Sequence, residues 1–140
     1  MLLNLYLFWG AWQDLQRRKI RNSYLWTGGI GGIVCRWVSW IMGEFSFAEW
    51  ITALIPGLIL LLIAKITEEK IGTGDGWVIV IMGNFLNMRE LWYVIQTAII
   101  IVFLFSVILL CSKKVGRECQ IPFLPFLWVA HTFMWGLHYV

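Results

Sequence analysis

The sequence predicts an all-α fold, a polytopic membrane bundle of six transmembrane helices, and three features of its 140 residues lead to that prediction. Hydrophobic residues make up 60% of the chain and charged residues only 14%, which is more apolar surface than a soluble domain of this length can bury. The apolar runs exceed strand length, and several approach the ~20 residues that cross a bilayer. Many of the ten tryptophans lie near the ends of these runs, as is typical of membrane interfaces.

Six apolar segments divide the chain. The first and fourth are short, and each adjoins an aspartate, Asp14 or Asp75, as expected for helices that stop at a water-accessible site. The first has no basic residue before its apolar run and no cleavage site of small residues after it, so we expect a membrane helix and not a signal peptide. We expect residues 1–140 to form a single integral membrane domain. The predicted segments are residues 2–13, 23–42, 47–65, 76–86, 91–111 and 122–139.

Basic residues cluster in alternate loops, which predicts the orientation of the bundle. Nine of the eleven Lys and Arg residues lie in or beside the loops that follow the first, third and fifth segments. Short loops rich in Lys and Arg stay in the cytoplasm, so we expect both termini outside and both aspartates on the cytoplasmic face. These charges suit contact with membrane lipid, and we expect no nucleic-acid partner. Arg36, inside the second segment, either faces the bundle or extends to the interface.

Asp14 and Asp75 are the candidate catalytic residues, because charged groups at the edge of a membrane are costly and usually functional. Singly, each has a structural explanation: Asp14 can pair with the arginines that follow it, and Asp75 can cap the fourth helix. Together, two carboxylates can share a proton, so that the ionised one takes a proton from water and the neutral one donates to a carbonyl oxygen. The pair predicts hydrolysis by an aspartic dyad at the membrane surface.

Gly72 and Gly74 precede Asp75, and glycine permits both a positive φ and a close approach of a substrate backbone. Glu68 and Glu69 lie just before these glycines, where they either contact a basic substrate segment or form a solvated turn.

A metal site is not expected. No two of the three cysteines have the spacing of a metal-binding pair, and no histidine lies near enough to them to complete a zinc pattern. We therefore expect no metal and no cofactor.

Gly-x-Gly-Asp at residues 72–75, followed by a helix, resembles the signature of the GxGD aspartic membrane proteases. Asp14, a basic run, Ile20 and Asn22 are similar to the first motif of the type IV prepilin peptidase family, which includes the preflagellin peptidases; Arg21 stands where that family commonly has proline. Gly83 also matches a glycine that the family carries within the helix after the second aspartate.

Residues 121–126 read Ile-Pro-Phe-Leu-Pro-Phe, which resembles the family's Ile-Pro-Phe-Gly-Pro-Phe with Leu124 for the glycine. The resemblance implies an aspartic endopeptidase of a prokaryotic plasma membrane that removes the leader of pilin-like or flagellin-like precursors. It implies cleavage after a glycine that ends a basic leader, with Asp14 and Asp75 activating water. Larger relatives carry a region with paired cysteines that is linked to N-methylation; this chain lacks it, which implies a peptidase-only form.

Two other functions fit the same sequence. In a non-catalytic membrane bundle, such as a small transporter or a pilin-binding assembly scaffold, the aspartates would bind an ion or a proton. Transport sites usually lie near the middle of the membrane, whereas both aspartates are expected at its edge. An inactive homologue would bind pilins without cutting them, and only an activity assay separates it from the peptidase.

Overall fold

The computed structural model describes residues 2–17, 22–43, 46–67, 72–111 and 122–138, and this part of the chain is folded into six α-helices without a strand. The predicted all-α class is therefore confirmed, and each predicted segment overlaps one helix. The helices are α1 (Leu2–Arg17), α2 (Asn22–Ile41), α3 (Phe47–Ile66), α4 (Thr73–Gly83), α5 (Met88–Cys111) and α6 (Leu124–His138).

Two of these helices, α3 and α5, are long and apolar enough to cross a membrane, judged by length and composition. They have 20 and 24 residues, whereas α1, α4 and α6 have 16, 11 and 15. Two candidate spans are thus found among the described residues, and the complete set of six transmembrane helices stays a prediction.

The ends of α1 and α4 differ from the sequence-based expectation. Helix α4 begins at Thr73 and not at residue 76, so Asp75 lies in its first turn, where the positive end of the helix dipole favours an acidic side chain. Helix α1 continues past residue 13 to Arg17, because Leu, Gln and Arg are good helix formers. Both aspartates are therefore inside helices, each within the turn nearest to a helix end.

The chain divides into two compact units, and each is described by itself. The first consists of Met1–Arg18 and Tyr93–Val140, and the second of Lys19–Trp92. The expected single membrane domain over residues 1–140 stays a prediction.

In the second unit, α4 packs closely against α3 and also contacts α2. Glycines make the close approach to α3 possible: a Cβ added to any of three of them would meet the facing helix at 2.5 to 2.8 Å. The tightest contact is with a backbone carbonyl oxygen, which cannot rotate away as a side chain can. The pairs are Gly57 with Val80, Gly76 with Leu61, and Gly83 with Ala53.

In the first unit, α1 packs against α6. The rings of Phe8 and Trp128 lie 5.2 Å apart in a tilted arrangement, which is a favourable geometry for aromatic pairs. Asn4, near the start of α1, accepts a hydrogen bond from the Thr132 hydroxyl at 3.0 Å, and its Oδ1 lies 3.2 Å from Nδ1 of His131. These contacts fix α6 alongside α1, with the start of α6 close to the end of α1.

Candidate active site

Asp75 is the third residue of α4, and Gly72 occupies the N-cap position before it. The Asp75 side chain is half-buried, and its backbone N–H donates to the Gly72 carbonyl at 3.1 Å. The carboxylate lies next to Gly72, since a Cβ placed on that glycine would be 3.3 Å from Oδ2 of Asp75. Helix N-termini carry partial positive charge, which suits an acidic side chain in the first turn.

Glycine at position 72 provides space for the Asp75 carboxylate. It is not required there for an unusual backbone conformation. Gly72 has φ −59° and ψ 116°, which other residues adopt readily. Among the described glycines, a positive φ occurs at Gly43, far along the chain from this motif. Gly74 lies in the first turn of α4. A side chain at Gly72 would stand directly against the Asp75 carboxylate, so glycine at this position avoids that contact.

Asp14 lies in the last turn of α1, past the end of the apolar run, and is 8% exposed. Its Oδ2 accepts a hydrogen bond from the backbone N–H of Leu124, the first residue of α6, at 3.3 Å. The N–H groups of Phe126 and Leu127 both donate to the Phe123 carbonyl, and Pro125 has none. The Leu124 N–H stands at the start of α6, where the first N–H groups of a helix have no partner within the helix, and it is therefore available to the Asp14 carboxyl.

Burial is the main influence on the ionisation of Asp14. It raises the pKa of the carboxyl above its ordinary value of 3.8, while the hydrogen bond from Leu124 acts in the opposite direction. A protonated carboxyl keeps one oxygen free to accept that bond, so the neutral form fits the site without losing the contact.

The two aspartates belong to different units of the chain, Asp14 to the first and Asp75 to the second. Their pairing as a dyad stays a prediction. Glu68 and Glu69 lie outside the described residues, as do the side chains of the arginines that follow Asp14. The contacts expected of these glutamates and arginines likewise stay predictions.

A polar cluster at the other end of α4 was not expected from the sequence. The Arg36 Nη2 donates to the carbonyl oxygens of Gly83 at 3.1 Å and Leu86 at 2.9 Å. Beside it, the Trp50 indole N–H donates to Oδ1 of Asn84 at 3.0 Å, and the Asn84 amide donates to a carbonyl one turn back in α4. Of the two alternatives for Arg36, facing the bundle is therefore correct. The signal in the sequence was an arginine within an apolar segment, which usually has a polar partner.

Within the described ranges, no group of three or more His, Cys, Asp or Glu side chains is placed to hold a metal ion. That the reaction proceeds without a metal is a prediction.

Comparison with known proteins gives one match. The model of the type IV leader peptidase family matches residues 1–111, which is most of the chain and includes both aspartates and the glycines before Asp75. No curated protein and no solved structure matches the chain.

Proposed function

Because the chain belongs to the type IV leader peptidase family, we propose that it is an aspartic endopeptidase that removes the leader of a pilin-like or flagellin-like precursor. The family is one of peptidases, and its membership together with two long apolar helices indicates a membrane protein. The proposal adds the aspartic type, the precursor as substrate, and cleavage at the cytoplasmic face of a prokaryotic plasma membrane.

The observation that carries the proposal is the setting of Asp75. Its carboxylate lies at the positively charged start of α4, next to Gly72, where any side chain would press against it. Ionised there, it can take a proton from a water molecule that attacks the scissile carbonyl carbon.

Asp14 is proposed as the neutral partner. Its burial raises the pKa of the carboxyl, as a general acid requires. In the proposed reaction the protonated Asp14 donates to the carbonyl oxygen while Asp75 receives the water proton. Collapse of the tetrahedral intermediate then breaks the peptide bond, with Asp75 passing that proton to the leaving amine and Asp14 recovering its own. Because the two carboxyl groups share one proton, the two pKa values describe the pair as a whole and belong to neither residue alone.

The substrate assignment rests mainly on the family, and the predicted place of the two aspartates at the membrane edge agrees with it. An apolar precursor helix would lie in the lipid beside the bundle, and its basic leader would remain in the cytoplasm. Glu68 and Glu69, just before the motif in the sequence, are proposed to attract that leader. A glycine before the scissile bond would let the substrate backbone approach Asp75 and Gly72 closely.

Co-expression with a precursor of this type tests the proposal. Wild-type protein should shorten the precursor, and Asp14→Asn and Asp75→Asn should each leave it full length while inserting normally. Glu49→Gln is a matched control, since it also replaces a carboxylate by an amide, at an exposed position in the first turn of α3. Binding of an intact precursor by wild-type protein, with no cleavage, would instead identify an assembly scaffold.

A further inference from the structure

Helix α4 is shorter than the hydrocarbon core of a membrane is thick, so the carbonyl groups at its carboxyl end need hydrogen-bond partners from the rest of the protein. Its 11 residues extend about 16 Å, against roughly 30 Å for the hydrocarbon core. The last carbonyl groups of a helix have no partner within the helix. In lipid such groups must be satisfied by other parts of the protein.

Arg36, on the neighbouring helix α2, donates hydrogen bonds to carbonyl groups at this end of α4. A single guanidinium nitrogen, Nη2, bonds the carbonyl of Gly83, the last residue of α4, and the carbonyl of Leu86 in the turn that follows. A positive charge at this end also matches the negative end of the helix dipole. The contact joins residues 47 and 50 positions apart in sequence, entirely within the second unit.

The glycine contacts set how closely α4 lies against α3. Gly83 and Gly76 lie against α3 with almost no space to spare. The bonds from Arg36 add a separate attachment from α2, at the last residue of α4 and in the turn that follows it.

We propose that Arg36 is a positioning residue of the reaction, which fixes Asp75 by holding the opposite end of the short helix that carries it. The inference rests on the proposed function for its kinetic consequence. Asp75 lies in the first turn of α4 and Gly83 is the last residue, so any shift of the helix along its axis moves the carboxylate by the same amount. Displacing a catalytic group by about 1 Å can cost 10²-fold in rate.

Cleavage kinetics of three variants test this. Arg36→Met should lower kcat by up to about 10²-fold with little change in KM, because the substrate still binds while Asp75 is displaced. Arg36→Lys, which keeps the charge and a donor, should recover part of that loss. Arg89→Gln is the matched control, since it removes an arginine at an exposed position in the first turn of α5, and its kcat should equal that of wild type. Wild-type kcat in Arg36→Met, or no recovery in Arg36→Lys, would overturn the inference.

A second measurement does not depend on activity. Thr73→Cys, in a chain whose three native cysteines are replaced, places a thiol at the first residue of α4. Its rate of labelling by a membrane-impermeant maleimide should change several-fold when Arg36→Met is added, and stay constant with Arg89→Gln. An unchanged rate in Arg36→Met refutes the positioning role. If wild-type protein cleaves no precursor, the proposed function fails, and the labelling rate alone decides whether Arg36 positions α4.

Discussion

The Asp14 carboxyl accepts a hydrogen bond from the backbone N–H of Leu124, which joins the last turn of α1 to the first residue of α6 across 110 positions of sequence. This bond gives Leu124 a structural role, because the first N–H groups of a helix have no partner within the helix. A backbone donor serves equally with leucine or glycine at position 124, so the departure from the family pattern does not remove the contact.

Asp14→Asn should remove activity without lowering stability. Burial raises the pKa of the Asp14 carboxyl in the folded state above its ordinary value of 3.8. Between that value and the raised pKa, the folded state binds more protons than the unfolded state, so this residue makes stability fall as pH rises through the window. An amide does not titrate and can still accept from Leu124.

Thermal unfolding in detergent at a series of pH values measures the effect. Below pH 3.8 the two proteins should unfold at similar temperatures, and the variant should become the more stable one as pH rises. A variant that is less stable at neutral pH would show that the ionised carboxylate is a structural element.

Gly72→Ala should lower the cleavage rate while leaving the fold intact. The added Cβ would lie 3.3 Å from Oδ2 of Asp75, so the carboxylate has to shift, whereas the backbone angles of Gly72 suit alanine. Gly29→Ala is the matched control, because nothing lies within 4 Å of a Cβ added there. Steady-state kinetics on both variants should separate them, and equal rates would remove Gly72 from the site.

Gly83→Ala should destabilise the protein through the contact between α3 and α4. Its Cβ would meet the Ala53 carbonyl oxygen at 2.5 Å, and such overpacking typically costs about 1–3 kcal/mol. Gly136→Ala in α6 serves as the control, since no atom lies within 4 Å of a Cβ at that position. A lower unfolding temperature is expected for Gly83→Ala only, and equal temperatures for the two variants would contradict the tight packing.

Cysteine labelling at the two ends of α3 tests the predicted orientation. Ser46 is the N-cap and Thr67 the C-cap of this helix, which is long and apolar enough to cross the membrane. In intact cells carrying a chain without its native cysteines, an impermeant reagent should modify Ser46→Cys and spare Thr67→Cys. The reverse pattern would place the basic loops outside the cell.

The sequence predicts the helices of this protein well but their tertiary contacts poorly. Hydropathy locates α3 and α5 closely, because an apolar run and a membrane helix have the same extent. It misplaces the start of α4, since Thr73 and the glycine after it are not apolar but still form the first helical turn. The partners of Arg36 and Asp14 could not be predicted, because each contact joins residues that are distant in sequence. The close packing of Gly83 is likewise visible only once α3 and α4 are placed side by side.

Cleavage of a purified precursor by the two single aspartate variants and the double variant is the most direct test of the dyad. If Asp14 and Asp75 share one proton, Asp14→Asn and Asp75→Asn should each lower kcat by about 10²–10⁴-fold or more. Residues that act as a unit are strongly non-additive, so the double variant should be no slower than either single one. Near-normal kcat in either single variant, or a double variant whose loss is the product of the two, would contradict an aspartic dyad.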